Sequence, residues 1–123
     1  MEKKISINQL ASSLITRSRG LEAYHALCRY INAGRIELDL NTGDLISLSF
    51  LDEIILRLRA GDQLDRIIFL IGNLSVHEKL RQIASVRRVS FLVRTQGGAA
   101  AVLIEPKAPD ALVVKGSQSE QRT

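Results

Sequence analysis

This chain of 123 residues predicts an α/β domain: a mixed sheet of four to five strands, about three helices and a C-terminal hairpin. Three observations carry that expectation. Apolar residues switch between strict alternation and a helical stripe along the chain. Capped helical stretches of roughly 10 to 15 residues separate short β-rich runs, which implies βαβ crossovers and a sheet that is parallel in its middle. A Gly97-Gly98 turn joins the last two runs antiparallel.

Lys3–Ile7 alternates charged or polar with apolar residues and fits a short edge strand. In the stretch 8–16, Leu10, Leu14 and Ile15 suit either a helical turn or a loop packed on the core. Ser18–Ala33 is a helix. Ser18 is placed to cap it, and Glu22 stands in the first turn, where a negative charge suits the dipole. Its expected buried face is Tyr24, Leu27, Cys28 and Ile31, and Gly34 supplies the stop. Arg35–Leu40 is a strand with Ile36, Leu38 and Leu40 on one side and Glu37 and Asp39 on the other. A turn cluster, Asn41 to Asp44, follows.

The next helix is expected to begin at Ser49, because Ser49 and Asp52 have capping-box spacing. Phe50, Leu51, Ile54, Ile55 and Leu58 form its apolar stripe. Arg57 and Arg59 close its last turn, and Gly61 ends it. Arg66–Ile71 reads as a strand buried on both faces. Ser75 and Glu78 give a second capping box, for a helix over 76–85 with Val76, Leu80, Ile83 and Ala84 inward. Val89–Arg94 and Ala99–Glu105 are the hairpin strands. The domain is thus expected over residues 1–105, with a flexible tail over 106–123 that is polar except for Leu112, Val113 and Val114.

Composition excludes several classes. A single cysteine, Cys28, allows no internal disulfide and no Cys-based zinc site. The N-terminus lacks the apolar core of a signal peptide, and the longest apolar run, Ile67–Ile71, is too short to cross a bilayer, so a cytoplasmic location is expected. The net charge of +4 permits an acidic partner without demanding one.

No phosphate loop or dinucleotide fingerprint occurs, so no cofactor or metal is expected. Ser49 and Ser47 read as a helix cap and a loop residue. The alternative is that Ser49 is a phosphosite, since a phosphate at a helix start gains from free amides and the dipole. Asp39, Asp44, Asp52 and Glu53 gather near the end of the second strand, where α/β enzymes place acid/base groups. The structural reading, as turn, strand-face and cap residues, is preferred because no nucleophile accompanies them. His25 and His77 have no partner Cys or Ser in the pattern. Arg17, Arg19, Arg81, Arg87, Arg88 and Arg94 are the basic residues that a nucleic-acid-associated accessory protein would use. The few aromatics, two tyrosines and three phenylalanines, fall at or near core positions rather than among them.

Three short runs carry a resemblance. They are Ser18-Arg19 with Ala23, the strand Glu37 to Leu40, and Ile46-Ser-Leu-Ser-Phe-Leu-Asp-Glu53. Over about Arg17–Ser85 the chain resembles a bacterial STAS-like family of unknown function, distantly similar to anti-sigma factor antagonists. The resemblance implies a regulatory, non-enzymatic protein-interaction module with a mixed sheet and helices. It also implies a signalling partner of the histidine-kinase-like ATPase type, and a phosphorylated serine at the start of the central helix, which falls on Ser49. Antagonists carry Asp-Ser-Ser-Gly at this place, whereas this chain has Ser47-Leu48-Ser49-Phe50. The expected partner-binding residues are Asn41, Asp44, Ser47, Ser49, Asp52 and Glu53.

Overall fold

Alternation separates Ile36 and Leu38 from Glu37 and Asp39, and the computed structural model of the chain builds its sheet on that pattern. The structure describes residues 3–32, 34–95, 97–98 and 100–106. The expected tail, apart from Pro106, lies outside them, as do Ala33, Gln96 and Ala99.

The strands are β1 (Lys3–Ser6), β2 (Ile36–Asp39), β3 (Ile67–Ile71), β4 (Phe91–Thr95) and β5 (Val102–Ile104). The helices are α1 (Arg17–Ile31), α2 (Leu48–Ala60) and α3 (Leu74–Arg87). One five-stranded sheet runs in sequence order, β1-β2-β3-β4-β5. The first three pairings are parallel and β4–β5 is antiparallel, so the expected mixed sheet with its hairpin is present.

Sequence order has a consequence. Each crossover joins neighbouring strands, and right-handed crossovers then stack every helix on the same face. The packing agrees: α2 contacts both α1 and α3, and residues of all three helices share one core with Ile5, Ile36, Leu38, Ile67, Phe69, Phe91 and Val93. Burying each large side chain of this set contributes about 1.5–3 kcal/mol. The register aligns Lys4, Glu37, Ile68, Leu92 and Leu103 across the opposite face, with Asp39, Leu70 and Arg94 in the next row. Ion pairs of Lys4 with Asp39 and of Arg94 with Glu37 rim that face, and the second of these spans β3.

The helix boundaries differ from the sequence expectation, and the caps explain why. Thr16, not Ser18, caps α1 through the amide of Arg19. Asn73, not Ser75, caps α3 through the amide of Val76. Both helices therefore start earlier, and α3 begins at Leu74. The inward stripe of α1 is Gly20, Ala23, Leu27 and Ile31, while Tyr24 and Cys28 are only partly buried. The helix ends at Ile31 with Asn32 as its C-cap, and Gly34 follows at φ 126°, a conformation that favours glycine, its amide donating to the Ile31 carbonyl at 3.1 Å. Ile7–Gln9 form one 3-10 turn capped by Ser6, and residues 10–16 are a loop on the core: Leu10, Ala11 and Leu14 are buried, and Ile15 is exposed.

Gly20 marks where α1 and α2 touch. A Cβ there would stand 2.7 Å from the carbonyl oxygen of Phe50 and 3.0 Å from Cβ of Glu53. Alanine in a helix ordinarily gains about 1 kcal/mol over glycine. Here the obstacle is backbone, which cannot swing aside, so overpacking costing about 1–3 kcal/mol outweighs that gain. Gly20→Ala is expected to lower the urea midpoint at unchanged slope, and Gly20→Leu to lower it further. An alanine variant as stable as wild type would contradict this close crossing.

Candidate functional site

Loops at the carboxyl ends of β2 and β3 lead into α2 and α3, and the expected partner-binding residues lie along the first of them. Asn41 follows β2, its amide donating to Asp39 Oδ1 at 2.9 Å. Asp44 is exposed at the loop tip. It accepts from Asn8 Nδ2 at 3.0 Å, and its own amide donates to Thr42 Oγ1 at 3.1 Å. These bonds hold the tip in one shape and tie it to the segment after β1.

Ser47 takes the capping role expected of Ser49, and Ser49 lies inside the helix. Ser47 is the cap of α2: its hydroxyl accepts from the amide of Phe50 at 3.1 Å and donates to the carbonyl of Ile15. Ser49 is the second residue of the helix and is half-buried. Capping-box spacing misled because Asp52 does not reach back to the helix amides.

Asp52 and Glu53 turn sideways instead. They are 6% and 8% exposed, the two buried charged residues of the described chain. Arg87 grips Asp52 with two bonds, Nε to Oδ1 at 3.0 Å and Nη2 to Oδ2 at 2.7 Å, while Arg17 Nη2 lies 2.8 Å from Oδ2. Glu53 takes Arg57 Nε at 2.7 Å and Arg17 Nη1 at 3.5 Å. The hydrogen bonds from Arg87 lead in holding the Asp52 carboxyl below its usual range, with Arg17 adding to the effect and burial opposing it.

The six residues therefore divide. Asn41, Asp44, Ser47 and Ser49 share the loop and helix start, whereas Asp52 and Glu53 are spent joining α1, α2 and α3. Of the four carboxylates weighed for acid/base chemistry, Asp52 and Glu53 come together on Arg17, and the others stand apart. Asp39 pairs with Lys4 and receives the Asn41 amide, Asp44 sits at the loop tip, and Asp52 is buried between the helices and held by Arg17 and Arg87. Among the described residues, no group of three or more His, Cys, Asp or Glu could hold a metal ion, and no helix is long and apolar enough to cross a membrane.

The structure adds residues to this edge that the sequence reading left out. Leu45 is 69% exposed, and Leu74, the first residue of α3, is 68% exposed. Leu45 borders a shallow hollow of about 410 Å³, together with Asp44, Asn73, Ser75 and Lys79. Leu74 borders a second, of about 460 Å³, with Asn73, His77 and Thr95. Asn73 lines both. Lys79 props up the loop, its ammonium donating to the carbonyl of Ile46 at 2.7 Å. Leu45 lies in the loop before the helical stripe, which begins at Phe50, and its exposure follows from the packing. Leu74 was hidden by placing the helix start too late.

No known protein family, curated protein or solved structure matches this chain.

Two outcomes test the geometry. Ser47→Ala is expected to cost about 1 kcal/mol in urea unfolding, the usual loss for a cap, while Ser49→Ala stays within about 0.5 kcal/mol of wild type; the reverse order would restore Ser49 as the cap. Asp52→Asn is expected to cost about 2 kcal/mol at neutral pH, less than a fully buried pair because its arginines are partly in water. The folded pKa of Asp52 is lowered, so its contribution is complete above the unfolded value of about 3.9 and fades as pH falls through the lower folded value. Stability of wild type and variant should thus converge in acid below about pH 4. A difference unchanged by acid would rule out that origin.

Proposed function

We propose that the chain is a non-enzymatic regulatory module of STAS-like type that binds a signalling protein through the carboxyl edge of its sheet. Asn41, Asp44, Ser47 and Ser49 form the polar part of that surface, and Asp52 and Glu53 hold the helix that presents it. The observation that carries the reading is the pair of exposed leucines, Leu45 and Leu74, on adjoining hollows that share Asn73. Lone exposed leucines are ordinary. Two at one edge, one in the loop before α2 and one opening α3, set among polar groups held by hydrogen bonds, have the make-up of an interface core with its polar rim. The runs within Arg17–Ser85 that resemble STAS-like proteins supply the partner class, a histidine-kinase-like ATPase, and the modification, a phosphate on Ser49.

The alternative, a nucleic-acid-associated accessory protein, draws less support. Of its six arginines, Arg17, Arg19, Arg87 and Arg94 are already paired with carboxylates. Arg17 and Arg87 meet at Asp52, but Arg19 pairs with Glu22 on α1 and Arg94 with Glu37 across the sheet, so the set does not run along one groove.

Affinity capture from the native host tests the proposal with wild type and a Leu45→Asp, Leu74→Asp double variant. Wild type is expected to retain an ATPase of this kind, and the variant to lose it while unfolding at the same urea concentration. An empty wild-type capture, or identical captures by the two proteins, would overturn the reading. Intact-mass measurement of the host protein is expected to show one phosphate, removed by Ser49→Ala. Titration with DNA and RNA at low salt is expected to show no binding; an affinity that falls steeply with salt would favour the alternative.

A further inference from the structure

Beside the α2 start lies a groove of about 190 Å³, lined by Arg17, Leu48, Asp52, Ile83, Val86 and Arg87. We propose that it receives an acidic–apolar peptide segment of the protein partner, with a carboxylate on Arg17 and Arg87 and an apolar side chain on Leu48 and Val86. The proposal rests on the protein-binding reading above and gives that partner a chemistry.

Charge decides which ligand fits. Arg17 and Arg87 face the groove with Asp52 between them, and Glu53 and Arg57 stand behind as one charge of each sign. The cluster thus has three guanidiniums and two carboxylates. A guanidinium carries five N–H donors. Asp52 takes two from Arg87, while Arg17 divides its bonds between Asp52 and Glu53. The side chains of Arg17 and Arg87 are still 49% and 34% exposed, so donors remain for an incoming anion. A carboxylate suits that planar fork, whereas a cation would meet the excess positive charge.

Apolar lining and size narrow the ligand further. Val86 is 67% exposed on the last turn of α3, and Leu48 is partly buried against the core. A groove of about 190 Å³ falls below the roughly 300–1,000 Å³ usual for a small-molecule pocket, and it suits one or two side chains of a bound segment. Leu48 lies between Ser47 and Ser49, so the groove continues the proposed interface around the helix start.

The full ¹⁵N-labelled chain can be titrated by NMR with two probes, acetyl-Leu-Glu-amide and acetyl-Leu-Gln-amide. The Glu probe is expected to shift the amides of Leu48, Gln82 and Val86, and the Gln probe to bind about tenfold more weakly. Val86→Glu, at an exposed position, should weaken the Glu probe about tenfold by like-charge repulsion, and Val86→Lys, whose stem keeps part of the apolar cover, should weaken it less than Val86→Glu does. Equal response to both probes, shifts away from the groove, or indifference to Val86→Glu would overturn the proposal. Leu45 and Leu74 take no part in this titration. A partner lost on changing those leucines, with no preference for the Glu probe, would remove the groove and leave the module.

Discussion

The helices depend on one arrangement: Asp52 and Glu53 of α2 held by Arg17 of α1, Arg57 of α2 itself and Arg87 of α3. Taking two carboxylates out of water costs several kcal/mol each. Three guanidiniums offset that cost, and their outward parts stay hydrated, so less is lost than in a fully sealed pair. Breaking the set leaves a buried charge unmatched, which is why it constrains the structure more than its net gain suggests. Gly20 belongs to the same constraint. Without a side chain there, α1 lies directly against Phe50 and Glu53, and Arg17, one turn earlier, is carried over both carboxylates.

The centrality of α2 follows from the sheet. With strands in sequence order and helices on one face, the middle helix has a neighbour on each side and the sheet beneath. Its first two turns are enclosed on three sides, so residues flanking its apolar stripe are buried too. A helix at the end of such a layer would leave the same two carboxylates in water. The opposite face of the sheet has no helix from this layer. Even so, Ile68 and Leu70 of β3 are 1% and 9% exposed there, in a strip rimmed by Lys4, Glu37, Asp39 and Arg94.

Element order, the parallel middle of the sheet, the closing hairpin and most of the core were legible in the sequence, because they rest on hydrophobic period and turn residues, which are local. Caps were less legible. Thr16, Ser47 and Asn73 each cap a helix two residues before the serine that the spacing favoured. A hydroxyl and a carboxylate three residues apart have the same spacing whether the acid turns back to the amides or sideways to a neighbouring helix. Asp52 turns sideways because Arg17 and Arg87, 35 residues away in both directions along the chain, arrive on its flank. Nothing in the local sequence encodes that arrival. The exposed leucines were missed for a related reason: a leucine near a helix start is normally counted toward the core, and only the packing shows that Leu45 and Leu74 lie outside it.

That same commitment of charges bears on what the surface can do. Asp39, Asp44 and Asp52 are each bound to a different structural neighbour, so the carboxyl edge lacks two acids aimed at one point. What it offers is shape: a hydrogen-bonded loop tip, a capped helix start, and two leucines on separate elements. Recognition benefits from such rigidity, because a partner then pays less to order the surface it meets. On the proposed reading, a phosphate on Ser49, the half-buried second residue of α2, would modulate it. One helical turn separates it from Asp52 and Glu53, so a phosphate there would compete with both for Arg17 and disturb the contact between α1 and α2 as well as the outer surface. A charge added at the helix start would then act through the same five side chains that hold the helices together.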